Sequence, residues 1–370
     1  MKKKICVVTA ARSEYGHLRW IIQDILDDCD LKLQLVVTGG HLLQDQGHTV
    51  DQIIEDGIPI AATVDAKVDN STKESICYSM SRMQEGVTKA FSELKPDILV
   101  VLGDRYELLP ICTTAFVMGI PIAHISGGDI TEGAIDDGVR NAITMLATYH
   151  FPGTQASADN IIRMRNSDKN VYVVGEPSLD LYNRISLMSR EELSHDLCIE
   201  SSKKWILMTY HPETKKSVEY NVCAVENCLK ALHESCSDYE IVVTKSNTDL
   251  GGKEINQYIE NFVEKKAEFK LFPSLGQLRY MSFMKQVDFV IGNSSSGITE
   301  SPVVKVPAIN IGDREKGRYQ CKNIIQVSTS IDDIICGIEI ARKGCKEISD
   351  SGYWGNGNTS EKVLKILRNL

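Results

Sequence analysis

The sequence contains no apolar run long enough to cross a membrane and no excess of positive charge. Its 41 Lys and Arg residues are outnumbered by 50 Asp and Glu residues, which gives a formal net charge of -9. An acidic chain is not expected to bind nucleic acid or an anionic membrane surface, because both repel it. The N-terminal segment MKKKICVVTA leads into a strand pattern instead of the apolar centre of a signal peptide. These absences predict a cytoplasmic globular protein with no membrane or nucleic-acid partner.

The sequence also lacks the cysteine and glycine patterns of common cofactor sites. Its 11 cysteines are odd in number and include no Cys-x-x-Cys pair, which argues against a disulfide framework and a zinc motif. Cys223, Cys228 and His233 could be imagined as metal ligands, but their amphipathic-helix context favours packing in a core. No Gly-x-Gly-x-x-Gly is followed by a ribose-binding acid, which argues against a nicotinamide cofactor. We expect neither a metal nor an organic cofactor.

Short apolar runs alternate with helix-length amphipathic segments along the whole chain of 370 residues. This alternation is typical of doubly wound α/β domains, and the length suggests two of them. The pattern restarts after a polar, charged segment at residues 185–203, so we predict domains at 1–185 and 186–370. The last strand of the first half is predicted at Val171–Val174. The final helix, Glu361–Leu370, is a candidate to cross back to the first domain.

Acidic residues follow two neighbouring predicted strands. The runs Ile98–Leu102 and Ile120–Ile125 each stop at glycine, and aspartate comes next, at Asp104 and Asp129. In an open α/β sheet, ligands bind in the crevice beyond the carboxyl ends of the strands. Carboxylates gathered there suit acid/base chemistry on a neutral ring. A further acidic pair, Asp136 and Asp137, lies just downstream, four and three residues before Arg140.

Each of these residues also has a structural interpretation. Asp104 could begin the next helix, Asp136 or Asp137 could cap the helix that follows, and Asp129 could be a turn residue. The occurrence of several acidic residues at neighbouring strand ends favours a functional site over these separate structural roles.

In the second half, the segment GNSSSGITE at residues 292–300 has the features of a phosphate-binding turn. Its small residues, including Gly297, let the backbone approach an anion, and a helix beginning near Ser295 would direct free N–H groups at it. Ser294 and Ser295 add hydroxyl groups, and Glu300 could accept hydrogen bonds from a ribose diol. An ordinary N-cap with a capping-box glutamate also fits this segment, and the two interpretations are compatible.

Cationic side chains are also predicted at strand ends. His211 leaves a strand beside proline, where an imidazole could hold a diphosphate. Arginine suits bidentate phosphate recognition, although some of these side chains will pair with neighbouring carboxylates. The arginines at or just beyond predicted strand ends are Arg12, Arg105, Arg314 and Arg318.

Taken together, the motifs resemble those of the hydrolysing UDP-N-acetylglucosamine 2-epimerases of sialic acid and related nonulosonic acid biosynthesis. They span nearly the whole chain, in the order TAARSEYG, VVTGGHL, LGDRYE, HISGGDITEGAIDDGVR, VVGEPSLD, YHPET, SNTDLGG, GNSSSGITESP and INIGDREKGR. The resemblance implies a GT-B-like fold of two Rossmann-type domains with the active site in the cleft between them. The reversible epimerases differ at the corresponding places, which favours hydrolysis over simple epimerisation.

The resemblance also implies roles for individual residues. The catalytic carboxylates would be Asp104, Asp129 and Asp136, with Asp137 and Arg140 beside them. UDP would contact, in the second domain, His211, Asn247, Ser294, Ser295, Gly297, Glu300 and Arg314, and in the first domain Arg12 and Arg105. Two positions depart from the pattern of many members, which have glutamate in place of Asp129 and histidine in place of Asn141.

The implied reaction converts UDP-N-acetylglucosamine and water to UDP and N-acetylmannosamine. UDP would leave by elimination to give a glycal, and water would then add. The second choice of substrate is a UDP-linked 2,4-diacetamido-2,4,6-trideoxy sugar, a legionaminic acid precursor. The alternatives to a hydrolysing epimerase are a GT-B glycosyltransferase, a non-catalytic sugar-nucleotide sensor and a reversible epimerase. A symmetric homo-oligomer is expected for an enzyme of this size.

Overall fold

The computed structural model describes residues 2–43, 48–132, 135–247, 249–344 and 348–370. The chain forms two compact units. Unit 1 comprises Met1–Asp129, Asp136–Asn183 and Gly355–Leu370, and unit 2 comprises Ile130–Ile135 and Arg184–Trp354. The chain therefore changes unit at residues 183 and 184, and its C-terminal segment belongs to unit 1. In the described ranges, no helix is both long enough and apolar enough to cross a membrane.

Unit 1 is a Rossmann-type α/β unit. Within the described residues its sheet has six parallel strands in the order β3-β2-β1-β4-β5-β6. Two 3-10 turns lie at Gly39–Leu42 and Pro177–Asp180. The elements are β1 (Lys3–Thr9), α1 (Arg12–Asp27), β2 (Leu31–Thr38), α2 (Val50–Glu55), β3 (Ile60–Val64), α3 (Lys73–Leu94), β4 (Ile98–Leu102), α4 (Leu108–Val117), β5 (Ile122–Ile125), α5 (Asp136–Leu146), β6 (Tyr149–Phe151), α6 (Gln155–Arg165) and α7 (Leu181–Arg184), which ends at the boundary.

Unit 2 repeats the same winding. Its described sheet has six parallel strands in the order β12-β11-β10-β7-β8-β9, so the strand order reverses between β7 and β10. The elements are α8 (Arg190–Leu197), β7 (Trp205–Thr209), α9 (Val218–Ser235), β8 (Glu240–Thr244), α10 (Gly252–Val263), β9 (Phe269–Phe272), α11 (Gly276–Met284), β10 (Phe289–Gly292), α12 (Ser295–Thr299), α13 (Ser301–Val304), β11 (Ala308–Ile311), β12 (Ile324–Val327) and α14 (Ile331–Ala341).

The last helix, α15 (Thr359–Asn369), packs on unit 1. Val363 and Leu367 are fully buried in the core that β1 shares with α1. The carboxylate of Asp180, itself fully buried, accepts the N–H groups of Thr359 at 2.8 Å and Ser360 at 2.6 Å. These bonds satisfy donors that the first turn of a helix leaves without intrahelical partners. Apolar burial and a remote cap therefore fix this helix to unit 1.

One predicted strand is wrong. Residues 171–174 form no strand, and the sixth strand of the first sheet is β6, at Tyr149–Phe151. Val171 makes only an isolated bridge to His150. A strand of three residues, such as β6, is too short to show a pattern of alternating polar and apolar residues. The apolar run at 171–174, in contrast, has the composition of a buried strand.

Candidate functional site

A buried guanidinium connects the segments that carry the predicted catalytic acids. Arg140, on α5, is 1% exposed. Its Nη2 forms an ion pair with the Asp104 carboxylate, and its Nη1 donates to the Asp129 carbonyl oxygen at 2.8 Å and lies 3.4 Å from Asp137 Oδ1. The side chains of Asp104 and Asp137 keep 24% and 26% exposure. The loops after β4 and β5 and the start of α5 are thus held together, with two carboxylates still open to solvent.

Asp129 is held at the start of α6. Its Oδ1 accepts the Ser157 hydroxyl at 2.5 Å, and the Asn160 side chain donates to the Gly128 carbonyl oxygen at 2.9 Å. Gly128 has φ +84°, and a Cβ there would lie 2.1 Å from the Ser157 carbonyl oxygen. Only glycine permits this approach. The helix therefore supplies a hydroxyl donor and the positive end of its dipole to the Asp129 carboxylate.

The structural interpretations of the acids hold in part. Asp104 does not begin a helix, since α4 starts at Leu108. Asp136 and Asp137 are the first two residues of α5, where a carboxylate interacts favourably with the helix dipole. Asp137 also pairs with Arg140. The same residue therefore both begins the helix and belongs to the acidic cluster.

Arg12 and Arg105 follow β1 and β4, which are adjacent in the sheet of unit 1. Arg105 is paired at two atoms with the buried Glu107 carboxylate, at 2.9 and 3.2 Å. Arg12 begins α1, and burial lowers the pKa of its guanidinium. Glu14, which the sequence did not single out, accepts the Ala10 N–H at 2.7 Å, and burial raises the pKa of its carboxyl to about 7.

In unit 2, His211 follows β7 and is fixed by main-chain and side-chain hydrogen bonds. The Asn247 N–H donates to His211 Nδ1 at 3.1 Å. The buried Asn293 side chain accepts the His211 N–H at 2.7 Å and donates to its carbonyl oxygen at 2.8 Å. Because Nδ1 accepts, a neutral His211 carries its proton on Nε2. The imidazole therefore presents a hydrogen-bond donor beside the point of strand reversal, where such folds bind ligands.

The predicted start of a helix at Ser295 is confirmed. Ser294 is the N-cap of α12, and its hydroxyl accepts the Ser296 N–H at 3.4 Å. A capping-box glutamate is absent here, because the third residue after Ser294 is Gly297. Glu300 instead ends α12 and is 4% exposed. The turn has the small residues and hydroxyls that anion binding needs, on a helix of five residues.

A chain of hydroxyl groups connects β7 and β8 to the turn at the start of α12. Thr244 and Thr209 Oγ1 are 2.7 Å apart, and Thr209 lies 3.4 Å from the Tyr280 hydroxyl. Tyr280 is in turn 2.6 Å from Ser296 Oγ, which is 3.0 Å from Ser294 Oγ. Burial first, and then the Glu300 charge, raise the pKa of Tyr280, so the phenol stays protonated. Sequence patterns gave no signal for this network, because its members lie in four separate elements, β7, β8, α11 and α12.

Arg314 joins the same cluster in unit 2. Its Nη1 donates to the Asn293 carbonyl oxygen at 3.1 Å and to Glu315 Oε1 at 2.5 Å. The buried Glu315 also accepts from Arg318 Nη1 at 3.0 Å. One buried residue, Asn293, thus contacts both His211 and Arg314 and directly precedes Ser294. A histidine, a serine and an arginine suited to a diphosphate are brought together.

The cysteine and histidine residues considered as metal ligands lie in different surroundings, with Cys223 exposed. Cys228 is buried in the core around α9, and His233 is paired with Glu268 at 2.5 Å. In the part of the chain that the structure describes, one trio of candidate ligands lies within 4.8 Å of one another, Asp28, Cys29 and Asp30. The Asp28 carboxylate there already accepts the N–H groups of Asp30 and Leu31.

These two units define the class of protein. Two Rossmann-type units occur in one chain, with carboxylates gathered at strand ends in the first and a cationic, hydroxyl-rich turn at the strand reversal of the second. This combination defines a GT-B-like α/β protein, in which ligands bind beyond the carboxyl ends of the strands.

Comparison with known proteins gives the family. Residues 23–368 match the family described as UDP-N-acetylglucosamine 2-epimerase. A GDP/UDP-N,N'-diacetylbacillosamine 2-epimerase (hydrolyzing) of Campylobacter jejuni is 37% identical over 90% of this chain and 86% of its own length. The UDP-N,N'-diacetylbacillosamine 2-epimerase (hydrolyzing) of Legionella pneumophila is 29% identical over 100% and 97%. The crystal structure of a Neisseria meningitidis UDP-GlcNAc 2-epimerase bound to UDP-GlcNAc shares the fold, with a TM-score of 0.83 at 17% identity over 99% and 100%.

The chain belongs to the hydrolysing UDP-N-acetylglucosamine 2-epimerase family. The resemblance inferred from the sequence motifs is confirmed, as is the GT-B-like fold. The protein is a hydrolysing 2-epimerase.

Proposed function

We propose that the enzyme converts a UDP-linked 2-acetamido sugar and water to UDP and the free sugar inverted at C2. The observation that carries this proposal is the gathering of Asp104, Asp137 and the Asp129 main chain on the buried Arg140, in a chain of this family. Carboxyl groups gathered at one place can supply both a base and an acid for proton transfer.

The reaction would proceed in two stages that balance in atoms and charge. A carboxylate of unit 1 removes the proton from C2 as the C1–O bond breaks, and the bonding electron pair leaves with UDP, giving a glycal. Water then adds its oxygen to C1 as a protonated carboxyl delivers a proton to C2 from the opposite face, and the carboxylate so formed takes the proton that the water loses. The proton first removed from C2 passes to the solvent. The sum is one water consumed and one stereocentre inverted.

The leaving diphosphate would be stabilised by unit 2. His211 presents its Nε2–H, Ser294 lies at the start of α12, and Arg314 is held by Asn293 and Glu315. Donors fixed before the reaction stabilise developing charge without reorganisation, an effect on the order of 2.7–4 kcal/mol for one donor in other enzymes. Asn247, Ser295, Gly297 and Glu300 are proposed as the further UDP-binding residues of unit 2, and Arg12 and Arg105 as those of unit 1.

For the sugar, we place UDP-N,N'-diacetylbacillosamine first. The support is the 37% identical relative, whose name specifies a diacetylbacillosamine nucleotide. UDP-N-acetylglucosamine, which the motifs alone placed first, is the second candidate and is supported by the description of the matching family. Both carry the 2-acetamido group and the C2 proton that the elimination requires. We further propose a cytoplasmic location, since the ten described cysteines are free thiols, as in a reducing compartment.

The test is proton NMR of the purified protein in D2O with each sugar nucleotide in turn. The expected product is the free sugar with manno configuration, one deuterium at C2, and one UDP released. The preferred substrate should show the higher kcat/KM. Hydrogen retained at C2 with gluco configuration would refute the elimination, and a stable C2-inverted UDP-sugar would indicate a reversible epimerase.

A further inference from the structure

A fully buried histidine on β5 contacts all three segments that carry the acids. His124 Nε2 is 2.7 Å from the Gly103 carbonyl oxygen, in the turn directly before Asp104. Its Nδ1 is 3.3 Å from Thr144 Oγ1, one turn after Arg140 on α5. A Cβ on Gly127, two residues before Asp129, would lie 2.9 Å from the same Nδ1. His124 is thus packed at the junction of the β4 exit, the β5 exit and α5.

The hydrogen bonds of His124 have a defined direction. Burial, opposed by the Gly103 bond and reinforced by the Arg140 charge, lowers the pKa of the imidazole to about 4, so the ring is neutral. A carbonyl oxygen only accepts, and therefore Nε2 carries the proton and donates to Gly103. Nδ1 is then the acceptor for the Thr144 hydroxyl. Both ring nitrogens are satisfied, and each bond ends on a different acid-bearing segment.

The turn before Asp104 is held at both polar groups of Gly103. Gly103 has φ +84°, and a Cβ built on it would meet no atom within 4 Å. Its N–H donates to the Ile125 carbonyl oxygen at 3.0 Å, while its carbonyl group is held by His124. The imidazole bond therefore restrains the carbonyl end of the peptide that leads into Asp104.

We propose that His124 is a positioning residue, which holds the Gly103 peptide so that the Asp104 carboxylate meets Arg140 in the geometry that turnover requires. The inference deepens the proposed function and rests on it. His124 touches no reacting atom and acts through Gly103 and Thr144. A misplacement of about 1 Å in an active site can cost on the order of a hundredfold in rate, and the release of one restraint on this peptide allows such a shift.

The test compares His124→Phe, which removes both hydrogen bonds, with His124→Gln. The glutamine amide nitrogen stands as many bonds from Cβ as Nε2, and so can still donate to Gly103. The matched control is His150→Phe. His150 is the register partner of His124 on β6 and is equally buried, but the contacts with Gly103 and Thr144 belong to His124. It therefore reports the effect of losing a buried histidine alone.

For each variant, kcat and KM come from UDP release, the UDP dissociation constant from calorimetry, and Tm from circular dichroism. We expect His124→Phe to lower kcat by roughly 10- to 100-fold, with the UDP dissociation constant unchanged within about twofold. His124→Gln should regain most of this loss, although its Tm is also reduced. His150→Phe should keep kcat within about twofold of wild type, whatever its Tm.

Three results would overturn the inference: a kcat for His124→Phe within about threefold of wild type, no recovery in His124→Gln, or an equal loss in His150→Phe. If His124→Phe does not fold, Thr144→Val, which removes the donor to Nδ1, should lower kcat several-fold, and an unchanged kcat would count against the proposal. Wild-type turnover in the same assay distinguishes a failure of the proposed function from a failure of the proposed role of His124. An inactive wild type contradicts the proposed function and with it this inference, whereas an active wild type with an indifferent His124 contradicts the inference alone.

Discussion

Replacement of Arg140 by methionine tests whether one buried cation holds the site together. The side chain is 1% exposed and bonds to Asp104, Asp137 and the Asp129 carbonyl oxygen. Removal of one partner from a buried ion pair costs about 3–5 kcal/mol. Because the two carboxylates keep 24% and 26% exposure, water partly solvates them once the cation is lost. We therefore expect Arg140→Met to lower the free energy of unfolding by about 3 kcal/mol, the lower end of that range.

Urea denaturation followed by circular dichroism measures this loss. The control is Arg19→Met: Arg19 is 34% exposed and its partner Asp56 is 9% exposed. Asp56 keeps the hydrogen bond from the Tyr15 hydroxyl at 2.6 Å, so we expect a loss of about 1 kcal/mol, as for partly exposed pairs. In the kinetic assay, kcat of Arg140→Met should fall by roughly a hundredfold, as when acid/base catalysis is lost, and UDP affinity should hold. A stability loss no larger than that of Arg19→Met, or an unaffected kcat, would refute the anchoring role of Arg140.

Three further predictions separate chemistry, binding and stability. Asp104→Asn should lower kcat by roughly a hundredfold while calorimetry gives an unchanged UDP affinity; an intact rate would rule out a catalytic carboxylate there. His211→Ala and Glu300→Ala should weaken UDP binding clearly in the same measurement, and unaltered affinity would remove them from the site. Burial lowers the pKa of His150 to about 3, below its unfolded value near 6.5, so the unfolded state binds the proton and stability falls as pH drops below that value. His150→Phe should therefore lose less stability than wild type between pH 7 and 5 in urea titrations, and an equal loss would show that His150 does not contribute.

Most of the site residues predicted from the sequence lie at the end of a recognisable strand. Asp104 follows a uniformly apolar run that stops at glycine, and Ser294 begins a run of small residues after another such strand. Arg140 follows Asp137 by three residues, a spacing that places both on one face of a helix. Local pattern sufficed for these positions because parallel strands deliver their exits to one edge of the sheet.

The residues that the sequence did not predict lie within helices and strands. There, the sequence pattern does not distinguish a polar side chain with a specific contact from one without. His124 stands in a buried strand, Ser157 in the first turn of α6, and Tyr280 in α11. Each acts across tertiary contacts, to Gly103, Asp129 and Ser296 respectively. The register of one element against another creates these contacts, and no periodicity within an element encodes it.

The two units build their sites in the same way. In unit 1, the buried Arg140 binds acid-bearing segments from two strand exits and a helix. In unit 2, the buried Asn293 binds the loop after β7 through His211 and the loop after β11 through Arg314. Each anchor is out of contact with solvent, and the groups proposed to act are held by it at the surface of their own unit. The proposed acid/base residues and the proposed diphosphate-binding residues therefore depend on two different buried residues. For this reason, mutations should be able to lower the rate without lowering the UDP affinity, and the reverse.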